Sequence, residues 1–279
     1  MTLNCKGNLI NLKKPKIMGV LNITPDSFYD GGNYKDTKAI IQQVEKMLAD
    51  GATFIDVGAY SSRPGAAHVS LTEELQRILP IVALLAKEFP TILLSIDTFR
   101  AQVAKQCIEA GAALINDISA ASLDKNMLQT VADLKVPYIM MHMKGTPQNM
   151  QQKTDYTHLL NDILYYFSEK ISDAHSLGIT DIIIDPGFGF SKTLEQNYEL
   201  MQKLEVFKIT AKPILVGISR KSMIYKVLKT DAKNALNGTT ALNTIALLKG
   251  ANILRVHDVK EAAECIEIVS QFELTNNSY

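Results

Sequence analysis

The polar residues of this chain that could do chemistry recur at one place, the ends of short apolar runs. Asn22 closes KIMGVLN, Asp56 lies within TFIDVG, Asp97 closes TILLSID and Asn116-Asp117 closes ALIND. His142 ends PYIMMH, Asp185 is near the end of DIIIDP, Ser219-Arg220-Lys221 leaves PILVGIS, and Arg255, His257 and Asp258 finish NILRVHD. Carboxylates accept N–H donors in pairs, carboxamides both donate and accept, and guanidinium, ammonium and imidazolium groups hold anions. Any one of these positions is equally well explained as a cap of the next helix or a partner for loop backbone. Eight polar run ends in one chain point instead to a shared site. Residues 22–32 (NITPDSFYDGG) and 58–65 (GAYSSRPG) add two loops in which Pro and Gly shape the backbone. Their Asn, Thr, Ser and Arg side chains supply donors suited to phosphate oxygens. Both loops read as lids over a substrate, the first being longer than a usual strand-to-helix connection of about 2–6 residues.

The elements that position these groups follow from the pattern between them. Segments with helical periodicity, among them 37–50, 72–88, 101–110, 156–177 and 239–249, alternate with the apolar runs. Gly51, Gly111, Gly178 and Gly250 stand where a left-handed helix cap belongs. Runs without in/out alternation are buried on both faces, which a parallel sheet provides. Eight strands alternating with helices predict a single α/β domain spanning 1–279, a (β/α)8 barrel, a fold of roughly 250 residues. An open doubly wound sheet has fewer strands and a Gly-x-Gly-x-x-Gly turn after the first, which is missing here. In a barrel, all strand C-termini face one mouth.

Composition narrows the partners. Lys plus Arg number 29 and Asp plus Glu 29, so the formal net charge is zero. Nucleic-acid binding gains from a basic excess that is absent, whereas one small anionic ligand needs only a local cluster. Three scattered cysteines argue against a disulfide framework or a thiolate zinc site. No apolar run approaches the roughly 20 residues of a membrane span, and no leader pattern opens the sequence. The expectation is a cytoplasmic protein without a membrane partner. His68, His158 and His175 lie among polar residues and read as solvated. His142 and His257 end strands, where a structural and a catalytic role fit equally. No His-x-His or His-Glu-x-x-His spacing supports a zinc hydrolase.

Taken in order, these segments resemble the dihydropteroate synthase family of pterin-binding barrels. Residues 18–32 (MGVLNITPDSFYDGG) and 61–65 (SSRPG) are similar to its two signatures. Residues 95–98 (SIDT), 115–118 (INDI), 141–150 (MHMKGTPQNM), 185–190 (DPGFGF), 217–222 (GISRKS) and 255–259 (RVHDV) follow collinearly. The resemblance implies a transferase of folate biosynthesis. It joins 6-hydroxymethyl-7,8-dihydropterin diphosphate to 4-aminobenzoate, releases pyrophosphate with Mg²⁺ assisting, and is a sulfonamide target. It also implies a homodimer formed through late helices such as 239–249.

The same resemblance gives residues their roles. Asp185 accepts from the pterin N3–H and 2-amino groups, Asn116 meets a mixed edge, and Lys221 donates to the carbonyl and N5. Asp97 stabilises the cation formed as the C–O bond breaks. Arg63, Ser62, Arg255 and His257 hold the diphosphate, and Asn22 gives Mg²⁺ a side-chain oxygen. Phe28, Pro64 and Phe190 wall the benzoate slot, with Ser62, Lys221 and Ser222 toward the carboxylate. One departure stands out: the family's second loop often reads Gly-Glu-Ser-Thr-Arg-Pro-Gly, where this chain has Ala59-Tyr60-Ser61-Ser62-Arg63-Pro64-Gly65. The alternatives are a methyltetrahydrofolate-dependent corrinoid methyltransferase and a non-catalytic barrel subunit. Neither needs the charged apparatus of Arg63, Arg255, His257 and Lys221.

Overall fold

Strands buried on both faces need helices outside them and side chains within, and the chain supplies both in alternation. The computed structural model describes residues 1–23, 34–60 and 69–276. Its strands are β1 (Thr2–Cys5), β2 (Asn8–Asn11), β3 (Lys16–Asn22), β4 (Phe54–Gly58) and β5 (Leu94–Asp97), followed by β6 (Leu114–Asp117), β7 (Tyr138–Met141), β8 (Ile182–Asp185), β9 (Leu215–Val216) and β10 (Ile253–Val256). The helices are α1 (Tyr34–Ala49), α2 (Leu71–Glu88), α3 (Ala101–Glu109), α4 (Met127–Leu134), α5 (Leu159–Ser176), α6 (Leu194–Gln202), α7 (Ser222–Tyr225), α8 (Leu236–Leu248) and α9 (Val259–Asn276). Parallel pairing runs β8-β7-β6-β5-β4-β3-β10-β9. An Ile184–Ile214 bridge joins its two ends, with Ile184 N donating to Pro213 O at 2.9 Å, so the sheet closes into the expected eight-stranded barrel.

Inward and outward side chains divide the core in two. Facing outward, Ile55, Val57, Leu94, Ile96, Ile115, Ile184 and their neighbours pack under the helices in one continuous cluster. The lower bore holds Met18, Phe54, Leu114, Ile139, Ile183, Leu215 and Ile253. Left-handed glycines stand where expected, at Gly51, Gly111, Gly178 and Gly250.

Two features differ from the sequence reading. The apolar run at 213–219 forms a regular ladder with β10 only over Leu215–Val216; before it, Pro213 has no N–H and the Ile214 amide donates to the Asn252 side chain at 2.9 Å. The second is an antiparallel hairpin, β1 with β2, that the sequence reading lacks. Its two-residue turn takes φ +53° at Lys6 and +82° at Gly7, as the tight mirror-image hairpin turn requires. Leu3, Cys5 and Leu12 pack against the lower bore and seal the N-terminal end of the barrel.

Candidate active site

At the opposite end, the strand termini bring five of the expected residues into one polar cluster. Arg255, on β10, donates through Nε to Asp56 Oδ2 at 2.6 Å and through Nη2 to Asp97 Oδ2 at 2.7 Å. Asp56 Oδ2 also accepts from Asn116 Nδ2 at 3.1 Å. Asp56 is fully buried, and its Oδ1 has no partner. Four strands, β4, β5, β6 and β10, thus converge on one carboxylate–guanidinium group. A methyl placed on Gly217 would lie 3.7 Å from Arg255 Cβ and 4.0 Å from Lys221 Nζ, so both cations overhang this bare stretch after β9.

The electrostatics follow from crowding charges out of water. Burial pushes the Asp97 carboxyl up to about 7; Arg255 pulls it down, and Asp56, Glu74 and Asp117 push it further up. Burial likewise raises Asp185, opposed by Lys221, the Gly187 amide at 2.8 Å, Arg255 and Lys192. Lys221 falls to about 8 through burial and Arg255, against the pull of Asp185 and Asp97. Burial disfavours the charge on Arg255, but Asp56 and Asp97 outweigh it and leave its pKa above the ordinary value. The cluster is poised to accept N–H donors at Asp185 and to donate from Lys221. It can also trade carboxylate partners of Arg255 for another anion.

The remaining expected residues fall in four groups. Lys221 Nζ donates to Phe188 O at 2.5 Å and lies 4.7 Å from the centre of the Phe190 ring, and Ser222 opens α7 beside it. His257 is exposed rather than in the cluster. Its amide donates to Ser219 Oγ at 3.2 Å, and its Nδ1 meets the same oxygen at 3.0 Å. Between them Arg220, at φ +57°, grips Asp258 through Nε at 2.9 Å and Nη2 at 2.7 Å, which locks the end of β9 to that of β10. Asn22 is half-buried at the end of β3, in register with Gly58. Phe28, Ser62, Arg63 and Pro64 lie outside the described residues.

His142, left open by the sequence, is a buried structural group. Its Nδ1 lies 3.1 Å from Lys192 Nζ and its ring stands edge-on to Tyr166. Burial, Lys192 and Lys144 hold its pKa well below the ordinary value. His158 and His175 are exposed as expected; His68 lies outside the described residues. Asp56 has a place at the mouth in the sequence but no role there; Lys192 and an apolar group of Ile118, Met141, Met143 and Met150, packed with Phe99, Leu123 and Phe190, have neither. Asp56 was detectable as a lone charge inside an apolar run. The methionines look like ordinary core in sequence. Tyr60, where the family often has an acid, stacks edge-on against Phe99 at 5.0 Å, lies under Arg100 and accepts from Gln148 Nε2 at 2.8 Å. Among the described residues, no group of three His, Cys, Asp or Glu side chains could hold a metal ion.

A charged strand-end cluster over a sealed barrel is the design of a pterin-binding barrel, and the chain belongs to the pterin-binding enzyme family, which it matches over residues 18–257. Within that family the relatives it resembles include dihydropteroate synthases. The dihydropteroate synthase of Escherichia coli K12 is 41% identical over 271 residues, covering 96% of this chain and 95% of that protein. The Yersinia pestis enzyme, solved with a sulfonamide drug, superimposes with a TM-score of 0.91 at 42% identity, covering 98% and 99% of the two chains. The Xanthomonas albilineans enzyme, solved with 4-aminobenzoic acid, gives a TM-score of 0.90 at 33% identity over 98% of both.

Proposed function

We propose that this chain is a dihydropteroate synthase, joining 4-aminobenzoate to 6-hydroxymethyl-7,8-dihydropterin diphosphate to give 7,8-dihydropteroate and pyrophosphate. The observation that carries the reading is the meeting of Asp97, Asn116 and Arg255 around Asp56 at the barrel mouth, with Lys221 overhanging it. Asp185 accepts the pterin N3–H and 2-amino protons, Asn116 satisfies a mixed edge, and Lys221 donates to the carbonyl and N5. Arg255, His257, Arg63 and Ser62 receive the diphosphate. As the C–O bond breaks, its electron pair leaves with the diphosphate, and ionised Asp97 stabilises the electron-poor pterin. The arylamine, already neutral at pH 7, gives its lone pair to the exocyclic carbon and then loses a proton to water. Phe190, with Phe28 and Pro64, holds its ring, and Ser222, Lys221 and Ser62 face its carboxylate.

Asn22 fits a Mg²⁺ ion, being a hard oxygen donor at the mouth. A lone neutral protein oxygen suits an ion that keeps waters and borrows diphosphate oxygens. When bound, the ion supplies neutralising charge to the leaving diphosphate. Sulfonamides, resembling 4-aminobenzoate, occupy the same slot. Exposed Ile245 and Leu248 on α8 with Ile268 and Phe272 on α9 support a homodimer through these late helices. No helix among the described residues is long and apolar enough to cross a membrane, which is compatible with a cytoplasmic site of action. The deciding experiment is a pyrophosphate-release assay on the pterin diphosphate with and without 4-aminobenzoate. Release that depends on the arylamine and Mg²⁺ is expected; release indifferent to 4-aminobenzoate, or none, overturns the reading.

A further inference from the structure

The segment after β8 has no regular secondary structure, yet side chains bond its backbone throughout. Gly187 O accepts from Lys192 Nζ at 2.9 Å, Phe188 O from Lys221, Gly189 O from Gln151 at 3.2 Å, Phe190 O again from Lys192 Nζ at 3.1 Å, and Ser191 O from Tyr156 at 2.9 Å. Gly189 N donates to Asn197 Oδ1 at 2.7 Å. Lys192 stands apart because one ammonium holds two of these carbonyls, three residues apart, and meets His142 Nδ1 at 3.1 Å as a third acceptor. It is only 4% exposed, and none of its three partners is a carboxylate. A buried cation with neutral partners is a costly way to bond a loop; burial draws its pKa down to about 7 against the pull of Asp185. The geometry leaves little slack. Gly187 is at φ +75°, and a Cβ there would lie 2.1 Å from His142 O.

The two carbonyls bracket the functional ends of the segment. Gly187 donates its amide to Asp185 Oδ1 at 2.8 Å, and Phe190 presents its ring to Lys221. We infer that Lys192 is a positioning residue for the reaction. By drawing Gly187 O and Phe190 O onto one nitrogen, it curls the segment so that the Asp185 carboxylate and the Phe190 ring face Lys221 at a fixed separation. It touches neither substrate; it sets the pterin half of the site against the arylamine half. The inference rests on the dihydropteroate synthase reading.

Lys192→Met tests it, since the thioether keeps the volume of the stem and removes the ammonium. Wild-type protein is assayed first for 4-aminobenzoate-dependent pyrophosphate release; its absence overturns the functional reading and this assignment with it. With an active wild type, the variant is expected to raise the KM for 4-aminobenzoate roughly tenfold or more, with a smaller fall in kcat, because the arylamine meets a displaced wall. In Lys192→Ala, propylammonium should restore that KM, whereas propanol of the same length should not. An unchanged KM, or an equal loss of kcat in both variants without amine rescue, makes Lys192 a structural cation and overturns the assignment alone. Failure of both variants to fold does the same.

Discussion

Asp97 carries two opposed demands: Arg255 favours its charge, while burial and three nearby carboxylates oppose it. The proposed mechanism needs it ionised, so activity should fall as pH drops through about 7, where the carboxyl takes up a proton. On the other side, Lys221 must stay protonated to donate, and it loses that proton as pH rises through about 8. The expected profile of kcat/KM is a narrow bell between these values, and Asp97→Asn should lower the whole curve and abolish its acid limb. A flat profile from pH 6 to 9, measured at saturating Mg²⁺, would remove both groups from the chemistry. At Asp185 the argument concerns donors rather than charge. Asp185→Asn turns one acceptor into a second donor facing the pterin N–H edge. It should weaken pterin binding by about 1–3 kcal/mol, read by calorimetry on the bare hydroxymethyl pterin. Affinity equal to wild type would place the pterin elsewhere.

At the scale of elements, what holds strand ends in place is ionic as well as apolar. Glu74, buried on α2, accepts from Thr98 Oγ1 at 2.7 Å and pairs with Arg100, whose other nitrogen reaches Val69 O at 2.7 Å. This ties α2 to the segment between β5 and α3. Arg100→Ala leaves a carboxylate stranded in the core and should cost about 3–5 kcal/mol of stability in urea unfolding. Replacing both partners with apolar residues, Glu74→Met with Arg100→Leu, should cost less than the single change; a larger loss would mean the pair stabilises beyond its desolvation cost.

The same scale explains what sequence could reveal. Parallel strands are apolar on both faces, so Asp97, Asn116 and Asp185 stand out at their ends, and barrel geometry brings them to one mouth with Arg255 and Lys221. Asp56 was visible but sits mid-run, where a charge reads as an anomaly. Lys192 was hidden because nothing in DPGFGFSK distinguishes a buried ammonium from a solvated one. The β1–β2 hairpin escaped because its strands are four residues each and only Leu3 and Cys5 alternate inward. Its Lys-Gly turn was the available signal.

Over the whole molecule, one group of exposed apolar residues lies on the late helices. Leu248 on α8 is 59% exposed, and Phe272 on α9 is 61% exposed. Such a group on adjacent helices suits burial by a second copy. Light scattering should therefore find a dimer, and Leu248→Glu should shift it toward monomer with the barrel intact. A wild-type monomer at micromolar concentration would leave this surface unexplained.

The hairpin under the barrel has a consequence for traffic. With Leu3, Cys5 and Leu12 packed into the lower bore, the described residues leave no rear exit. Pterin, arylamine, pyrophosphate and dihydropteroate must all pass one doorway. The bulky product shares its way out with the next pterin's way in, so accumulated dihydropteroate should compete with the pterin diphosphate rather than drain past it.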